Sequence, residues 1–553
     1  MDCSVPKPRL CLALIALLAA LAWGRTVTYG FVWDDHFFIV ENMAIRSPRN
    51  IPAMFYSRIA EASHPRDFPN FRPLRNVAYA LLYQLGGTAA PAPWIFHLAN
   101  VLGQALAALL LFAVADLLFR PAGETPARWA ALLAGAAFAL HPAASEVVCW
   151  AKSLDDILAA IFVLAAARAL LRWNGQRGRL AAALAFFALA VYAKESAVPF
   201  AGLVFFLLRA HHKLPWRRCA VLTAPFLLVA GFYAAHRYWV LGQAAQCAPI
   251  SGTYGRTLLD TLPALTIYFR LLWGIPPFSI DYTDMLGHLP LFSAAIMTGA
   301  FLLALWAAAT WAAWRNEKFR PAAVGLLWLG LFLLPVSNLV PMMQYLAERF
   351  LYLPLIGWLL ALGGLLAWAP RRLPSVALPA VLIAAWLPLS LAREGIWRDE
   401  VTLFARSSLA HPANKRLREN AVAAIFALPP MNSAFHLGEA TRQLQVTPSI
   451  SRRQAAALLP ALRQAHGLLP DEHRITTALG IACALAGQIS NAVPFLELAA
   501  RQETNDAQCW IDLGSAYALE NEPAKARQAW ETALRLEPTN RLALEHLGAL
   551  KAK

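Results

Sequence analysis

Charge is what this sequence lacks most: Asp, Glu, Lys and Arg together make up 15% of its 553 residues, against about 25% in soluble globular chains. That scarcity, with 59% apolar residues, excludes a water-soluble globule and indicates a polytopic membrane protein. Long basic tracts are missing as well. The 48 Lys+Arg exceed the 33 Asp+Glu, but they collect in short gaps between apolar runs, where they set topology. No nucleic-acid reader motif accompanies them, so no nucleic acid is expected as a partner. The seven cysteines form no CxxC pair and show no metal-ligand spacing. Cys3, Cys11 and Cys219 read as cytoplasmic or intramembrane, and Cys149, Cys247, Cys483 and Cys509 as outward-facing. A Cys483–Cys509 bridge is one option for the last two, and small buried hydrophobes the other.

What is present is a series of apolar runs. A helix needs about 20 mainly apolar residues to cross a hydrocarbon core. On that measure eleven spans are expected, near Leu10–Tyr29, Trp94–Phe119, Trp129–Pro142, Asp156–Leu171, Leu180–Ala193, Ala197–Leu208, Ala220–Val240, Leu291–Trp314, Ala322–Val340, Leu351–Trp368 and Leu373–Leu391. Basic residues recur at every second connection: Lys7/Arg9, Arg120/Arg128, Arg168 to Arg179, Arg209 to Arg218, Arg315 to Arg320 and Arg371/Arg372. Those gaps are expected in the cytoplasm. Residues 30–93, 141–155, 241–290 and 341–349 then lie outside, in a periplasm or an endoplasmic-reticulum lumen. Residues 256–277 are apolar enough to pass for a span, yet a crossing there would put Arg315, Lys318 and Arg320 on the wrong side. With Arg270 near its middle, this stretch reads as interfacial or re-entrant. The first span reads as a retained anchor, a cleaved signal being the alternative.

The membrane domain is expected over 1–392 and a second, mixed-charge domain over 393–553. In the second, Trp510, Leu513, Gly514, Tyr517, Ala526, Trp530, Ala533 and Pro538 fit the tetratricopeptide pattern and its 34-residue period. Leu479, Gly480, Ala492 and Ala499 fit one period earlier. The clearest repeats are therefore expected at 473–506 and 507–540, in an outward-facing α-solenoid whose groove binds a partner. Packing or dimerisation is the alternative use.

Ionisable residues kept near membrane depth are functional candidates. On the expected outer side these are Asp34, Asp35 and His36, Arg72, His141, Glu146, Asp155, Asp156, Lys194, Glu195, Asp281, Tyr282, Glu348 and Arg349. Their convergence would suit transfer of a sugar from a lipid phosphate, which needs a base for the incoming hydroxyl and fixed positive charge where the phosphate leaves. Asp34 or Asp35 fits the first role, and Arg349, with Lys194 as helper, the second. The bland alternatives are a solvated turn for the Asp pair, an interfacial anchor for Glu348 and Arg349, a local ion pair for Lys194 and Glu195, and a helix-ending residue for His141. Phe31, Trp33, Phe37 and Phe38 around the Asp pair argue against a freely solvated turn.

The ordered segments FVWDDHFFIVEN, FRPLRN, HPAASEVVCWAKSLDDILAAIFVLAA, YAKES, WGIPPFSIDY, AERFLYLP and WRDEVTLFARSSLAHPANKRLREN resemble the tetratricopeptide-repeat transmembrane O-mannosyltransferases and their bacterial relatives. These belong to the GT-C class of membrane glycosyltransferases. The resemblance implies a GT-C-like all-α membrane domain that moves a sugar, mannose in the characterised relatives, from a polyprenyl-phosphate donor to Ser or Thr of a protein acceptor by inverting displacement. It implies Asp34 and Asp35 as the active-site acids of the first outer loop and Arg349 as the contact to the donor phosphate. It also implies independence from metal, although Asp34 and Asp35 could ligate Mg²⁺ or Mn²⁺ with waters. AKSLDD stands where relatives more often place Arg near an acid, which leaves Lys152, Asp155 and Asp156 without an assigned role. Ala-rich spans and compact loops favour a bacterial inner membrane, with the N terminus cytoplasmic and the repeats periplasmic. The rival readings are a non-enzymatic envelope scaffold and a lipid-linked oligosaccharide polymerase or ligase.

Overall fold

The computed structural model describes residues 5–551, apart from 59–60, 64–69, 87–89, 245–246, 250, 283–284, 286–288, 343, 345, 370–372 and 427–451. Arg371 and Arg372, expected on the cytoplasmic side, therefore lie outside the described residues. The chain divides into two compact units, Met1–Asp399 and Glu400–Lys553. Both are helical, and no strand occurs among the described residues.

Six helices in the first unit are long and apolar enough to cross a membrane: Pro8–Thr28, Pro93–Ala122, Trp216–Leu241, Ala294–Arg315, Glu317–Val336 and Glu348–Leu366. Glu124–Leu140 and Pro142–Cys149, bent by 47° at His141, make a seventh if taken as one. The first helix shows how such a surface is built. Cys11, Ile15, Ala19 and Ala22 are buried along one stripe, while Leu10, Leu14, Leu17 and Leu21 stand exposed on the other. Only 17% of the Ala294–Arg315 window is buried by protein. Apolar surface of this extent calls for lipid rather than water, and the protein is an integral membrane protein.

Three further expected spans are helical but short: Leu154–Leu171 has 18 residues, Arg177–Ala193 has 17 and Phe200–His211 has 12. Asp155 stands in the first turn of the first of these, and Lys194 and Glu195 directly follow the second. Leu373–Gly395 supplies a helix of 23 residues. Residues 256–277 do not form one helix. They break into Tyr254–Thr261 and Ala264–Leu272, of 8 and 9 residues, each far below the length of a crossing.

The tightest crossing in the bundle lies between Arg320–Leu333 and Tyr352–Leu366. A Cβ on Gly325 would collide with the backbone of Ala361 and Gly357, and one on Gly357 with Leu329 N and Gly325 O. Small residues let these backbones touch, which is how helices associate in lipid. The contact matters because Arg349 sits one turn before the second of these helices, in the 3₁₀ turn Glu348–Leu351.

In the second unit, helix starts recur at a 34-residue step. His473–Leu485 is followed by Ala507–Leu519 and then Arg541–Lys551, and Ile489–Gln502 by Pro523–Leu536. Packing repeats with them: Gly480 lies against Leu496, and Gly514 against Trp530 at the equivalent place. Cys483 and Cys509 are both free thiols and buried, which removes the disulfide option.

The Gly325–Gly357 crossing predicts that Gly357→Val forces two backbones apart. Overpacking of this kind costs about 1–3 kcal/mol. The full chain in detergent should then melt several degrees lower, and an unchanged melting curve would contradict the crossing.

Candidate active site

The loop that follows the first span, Pro8–Thr28, takes its direction from one residue. Trp33 takes a positive φ of 55°, a conformation that a bulky side chain holds only when its surroundings enforce it. Its ring stacks on Trp150, with centroids 4.7 Å apart and planes 7° from parallel. The next two residues then turn to opposite sides. Asp35 is fully buried. Its Oδ2 accepts from the Val32 N–H at 3.0 Å and its Oδ1 from the Lys152 N–H at 2.8 Å. Burial pushes its carboxyl up to about 7, against the pull of those two amides. Asp34 instead lines a cavity of about 590 Å³. The two acids are therefore not interchangeable: Asp35 ties the first loop to the loop around residue 152, and Asp34 faces the open space.

Loops far apart in sequence meet at that cavity. Its walls include Asp34, Arg72, Lys152, Asp156, Lys194, Glu195 and Arg349. Arg72 donates to Asp155 Oδ2 at 2.6 Å and, through Nε and Nη2, to both oxygens of Glu195 at 3.0 and 2.5 Å. Lys194, expected to help hold a phosphate, donates to Asp156 Oδ2 at 2.5 Å and lies 3.8 Å from Asp155. Arg349 is clamped by Glu146, which accepts from both its main-chain N–H and its guanidinium, and by Gln344. Lys152 stands 3.9 Å from Asp34. Ionised side chains are buried here only because each acid has a cation or an amide against it.

Eight of the expected residues lie outside the cavity wall: Asp35, His36, His141, Glu146, Asp155, Asp281, Tyr282 and Glu348. Buried His141 accepts from Ala143 N–H through Nδ1 and reaches Leu272 O through Nε2, so it holds the bend between its two helices. Glu348 accepts from Tyr282 Oη at 2.9 Å, from Ser279 N at 2.7 Å and from Arg393. Asp281 is buried beside them, its carbonyl accepting from Ser279 Oγ. This second network ends at Ser145, which accepts from Arg393 Nε. Glu146 and Asp155, also absent from the wall, lie directly behind Arg349 and Arg72. Sequence reasoning passed over Arg75, whose buried ion pair with Glu61 at 2.9 Å sits behind Arg72, and Arg393. Both were visible as charges in apolar surroundings, Arg75 inside FRPLRN itself and Arg393 at the end of an apolar run.

Beside the polar cavity runs an apolar groove of about 520 Å³, walled by the helices Ala264–Leu272, Ala294–Arg315 and Arg320–Leu333. Leu334, Val336 and Leu339 belong to both. The segment 256–277 thus forms one wall of this groove. Of the Asp34/Asp35 pair only Asp34 lines the cavity, while each oxygen of Asp35 accepts a backbone amide. No group of three or more His, Cys, Asp or Glu suited to a metal occurs among the described residues.

No known family profile matches the chain. Among curated proteins it is similar to protein O-mannosyl-transferase TMTC4 of Mus musculus, 23% identical over 75% of this chain and 64% of that protein. It is also similar to TMTC3 of Homo sapiens, 21% identical over 97% of this chain and 65% of that protein. Tmtc1 of Drosophila melanogaster is 29% identical over 34% of this chain and 21% of its own length. The chain thus spans less than two thirds of each of these relatives, and the likeness to protein O-mannosyl-transferases extends over most of the chain. Solved structures are more distant. The archaeal oligosaccharyltransferase AglB from Archaeoglobus fulgidus aligns at TM-score 0.41 and 14% identity, covering 75% of this chain and 59% of that one. ArnT from Cupriavidus metallidurans, bound to undecaprenyl phosphate, aligns at 0.34 and 14%, covering 96% and 80%.

The charge network predicts that Arg72→Met leaves Glu195 without its ion-pair partner and takes from Asp155 its hydrogen-bonded one, with only Lys194 and Arg75 at 3.8 and 3.9 Å remaining. Breaking a buried pair in this way costs about 3–5 kcal/mol. The yield of monodisperse full-length protein should collapse and Arg72→Lys should recover part of it. Normal yield and melting of the Met variant would show that the network does not hold these loops.

Proposed function

We propose that this protein is a membrane glycosyltransferase that moves a sugar, mannose by analogy with its relatives' names, from a polyprenyl-phosphate donor to a hydroxyl of a protein or other envelope acceptor. One observation carries the reading: the Asp34 carboxylate, whose nearest cation is 3.9 Å away, shares a cavity with the cations Lys152 and Arg349, and that cavity adjoins an apolar groove. The groove suits an isoprenoid chain, the cations suit its phosphate, and the acid suits the acceptor.

In the proposed reaction Asp34 accepts the proton of the acceptor hydroxyl as its oxygen attacks the anomeric carbon. The bond between that carbon and the phosphate oxygen breaks on the opposite face, so configuration inverts. The electron pair leaves with the polyprenyl phosphate, and Arg349 stabilises the charge as it develops. Glu146 and Gln344 keep the guanidinium in place, and Asp35 positions the loop that carries its neighbour. Lys194, Glu195, Arg72, Asp155 and Asp156 support the wall as paired charges, and Glu348, Tyr282, Asp281 and His141 hold the turns behind it.

In this reading the cavity lies on the outer side, with the N terminus cytoplasmic and the repeats periplasmic in a bacterial inner membrane, or lumenal in an endoplasmic reticulum; positive gaps at alternate connections support it. In this reading the second unit is a tetratricopeptide domain that captures the acceptor protein. The 34-residue step between its helices supports that assignment.

The test is sugar transfer by purified full-length protein from polyprenyl-phosphate mannose to periplasmic protein acceptors. Asp34→Asn should lower kcat by about 10²–10⁴-fold, the usual worth of a positioned base, with the donor KM little changed. Asp35→Asn should lower kcat less and melt earlier, because its place is behind the wall. Full kcat in Asp34→Asn with correct folding would remove Asp34 as the base, and no transfer by the unmodified chain from several donor sugars would favour a scaffold.

A further inference from the structure

The cations around the cavity differ in what already occupies them. Arg72 is taken up by Asp155 and Glu195, and Lys194 by Asp156. Lys152 is different: the nearest carboxylate, Asp34, lies 3.9 Å away, and no hydrogen bond to its Nζ occurs among the described residues. Its ammonium lies instead against two rings, 4.4 Å from that of Trp150 and 5.2 Å from that of Phe38. Arg349 approaches the same Trp150 ring, its Cζ 5.5 Å from the centroid. Two cations thus converge on one buried aromatic residue from different loops, at the edge of a cavity they both line. Like charges in a poorly solvated place repel, and an anion between them would relieve this.

The lysine is also held in advance. Its N–H donates to Asp35 and its carbonyl accepts from Tyr79 Oη at 2.6 Å. Both ends of its peptide are fixed, so little freedom remains to be lost when a ligand arrives. This arrangement gives buried Asp35 a second task beside holding the loop that carries Asp34.

The geometry points to Lys152, rather than Lys194, as the partner of Arg349 in holding the phosphate of the lipid donor and of the departing lipid phosphate, with Asp35 as the positioning residue that sets it there. This rests on the function proposed above and assigns a residue within it. Asp34 from the first loop, Arg349 from the turn at 348–351, Asp155 from the following helix and Arg72 from the end of the first outer loop all face this ammonium. Burial lowers it to about 8, with Arg349 and Arg72 acting the same way and Asp34 and Asp155 opposing. Arginine at the same place would stay charged throughout.

The experiment is binding of undecaprenyl phosphate to the purified full-length chain in detergent, compared among the unmodified protein, Lys152→Met and Lys152→Arg. Lys152→Met should weaken binding about tenfold or more, as loss of a charge-assisted contact does, and Lys152→Arg should restore much of it. For the unmodified chain the Kd should rise about tenfold between about pH 7 and about pH 9, as one ammonium near 8 titrates. The Arg variant should stay nearly flat over that range, and it carries the test if the Met variant does not fold. Tight binding by the unmodified chain with equal affinity in a folded Lys152→Met, or identical pH profiles for lysine and arginine, overturns the assignment while leaving the proposed function standing. No binding of undecaprenyl phosphate by the unmodified chain overturns the proposed function, and this inference with it.

Discussion

The carboxylate of Asp35 carries the arrangement of the whole site. It lies fully buried between the N–H groups of Val32 and Lys152, and so joins two loops more than a hundred residues apart. With that joint made, Trp33 can stack on Trp150, Asp34 is turned into the cavity, and Lys152 is brought 3.9 Å from it. An amide in place of the acid would offer one acceptor where two are needed, leaving a buried N–H unmet at a cost of about 1–3 kcal/mol.

The same logic of paired burial repeats around the wall. Charges at membrane depth are expensive, and this protein keeps them by closing each into a short circuit: Arg72 with Asp155 and Glu195, Lys194 with Asp156, Arg349 with Glu146. These circuits are scaffolding with a functional residue at the edge. Arg72 and Lys194, closed in this way, support the wall, whereas Arg349 keeps its place on the cavity lining beside its Glu146 anchor. Where a circuit is open, as at Asp34 and Lys152, the side chain faces the cavity and is available to a substrate. Helix packing serves the same end, since the close crossing at Gly325 and Gly357 fixes the turn that presents Arg349.

Much of this was legible in the sequence because lipid imposes simple rules. Apolar runs reveal helices, and an ion such as Arg349 in AERFLYLP stands out against its neighbours. The 34-residue step between helices was readable because each repeat must present the same small and large residues, Gly480 with Leu496 and Gly514 with Trp530. Partner choice was not legible. Asp34 and Asp35 are chemically identical neighbours, and what separates them is the backbone of Trp33 and a contact with residue 152. Lys194 read as a phosphate helper or as the ion-pair partner of Glu195, whereas its carboxylate partner is Asp156, far away in sequence. His141 was open to a helix-ending or a catalytic reading, and its ring is spent on the main chain of Ala143 and Leu272. The segment 256–277 was ambiguous by composition because apolar residues suit a groove wall as well as a span.

The central claim is that this cavity holds a lipid phosphate with its chain in the adjoining groove. The most direct measurement is photocrosslinking of the purified full-length protein with a polyprenyl phosphate carrying a diazirine on the isoprene unit next to the phosphate, followed by peptide mapping. The account predicts labels on the segments around Lys152 and Arg349 and on the shared wall at Leu334 to Leu339, competed away by unlabelled lipid phosphate. Competable labelling confined to other segments would contradict it.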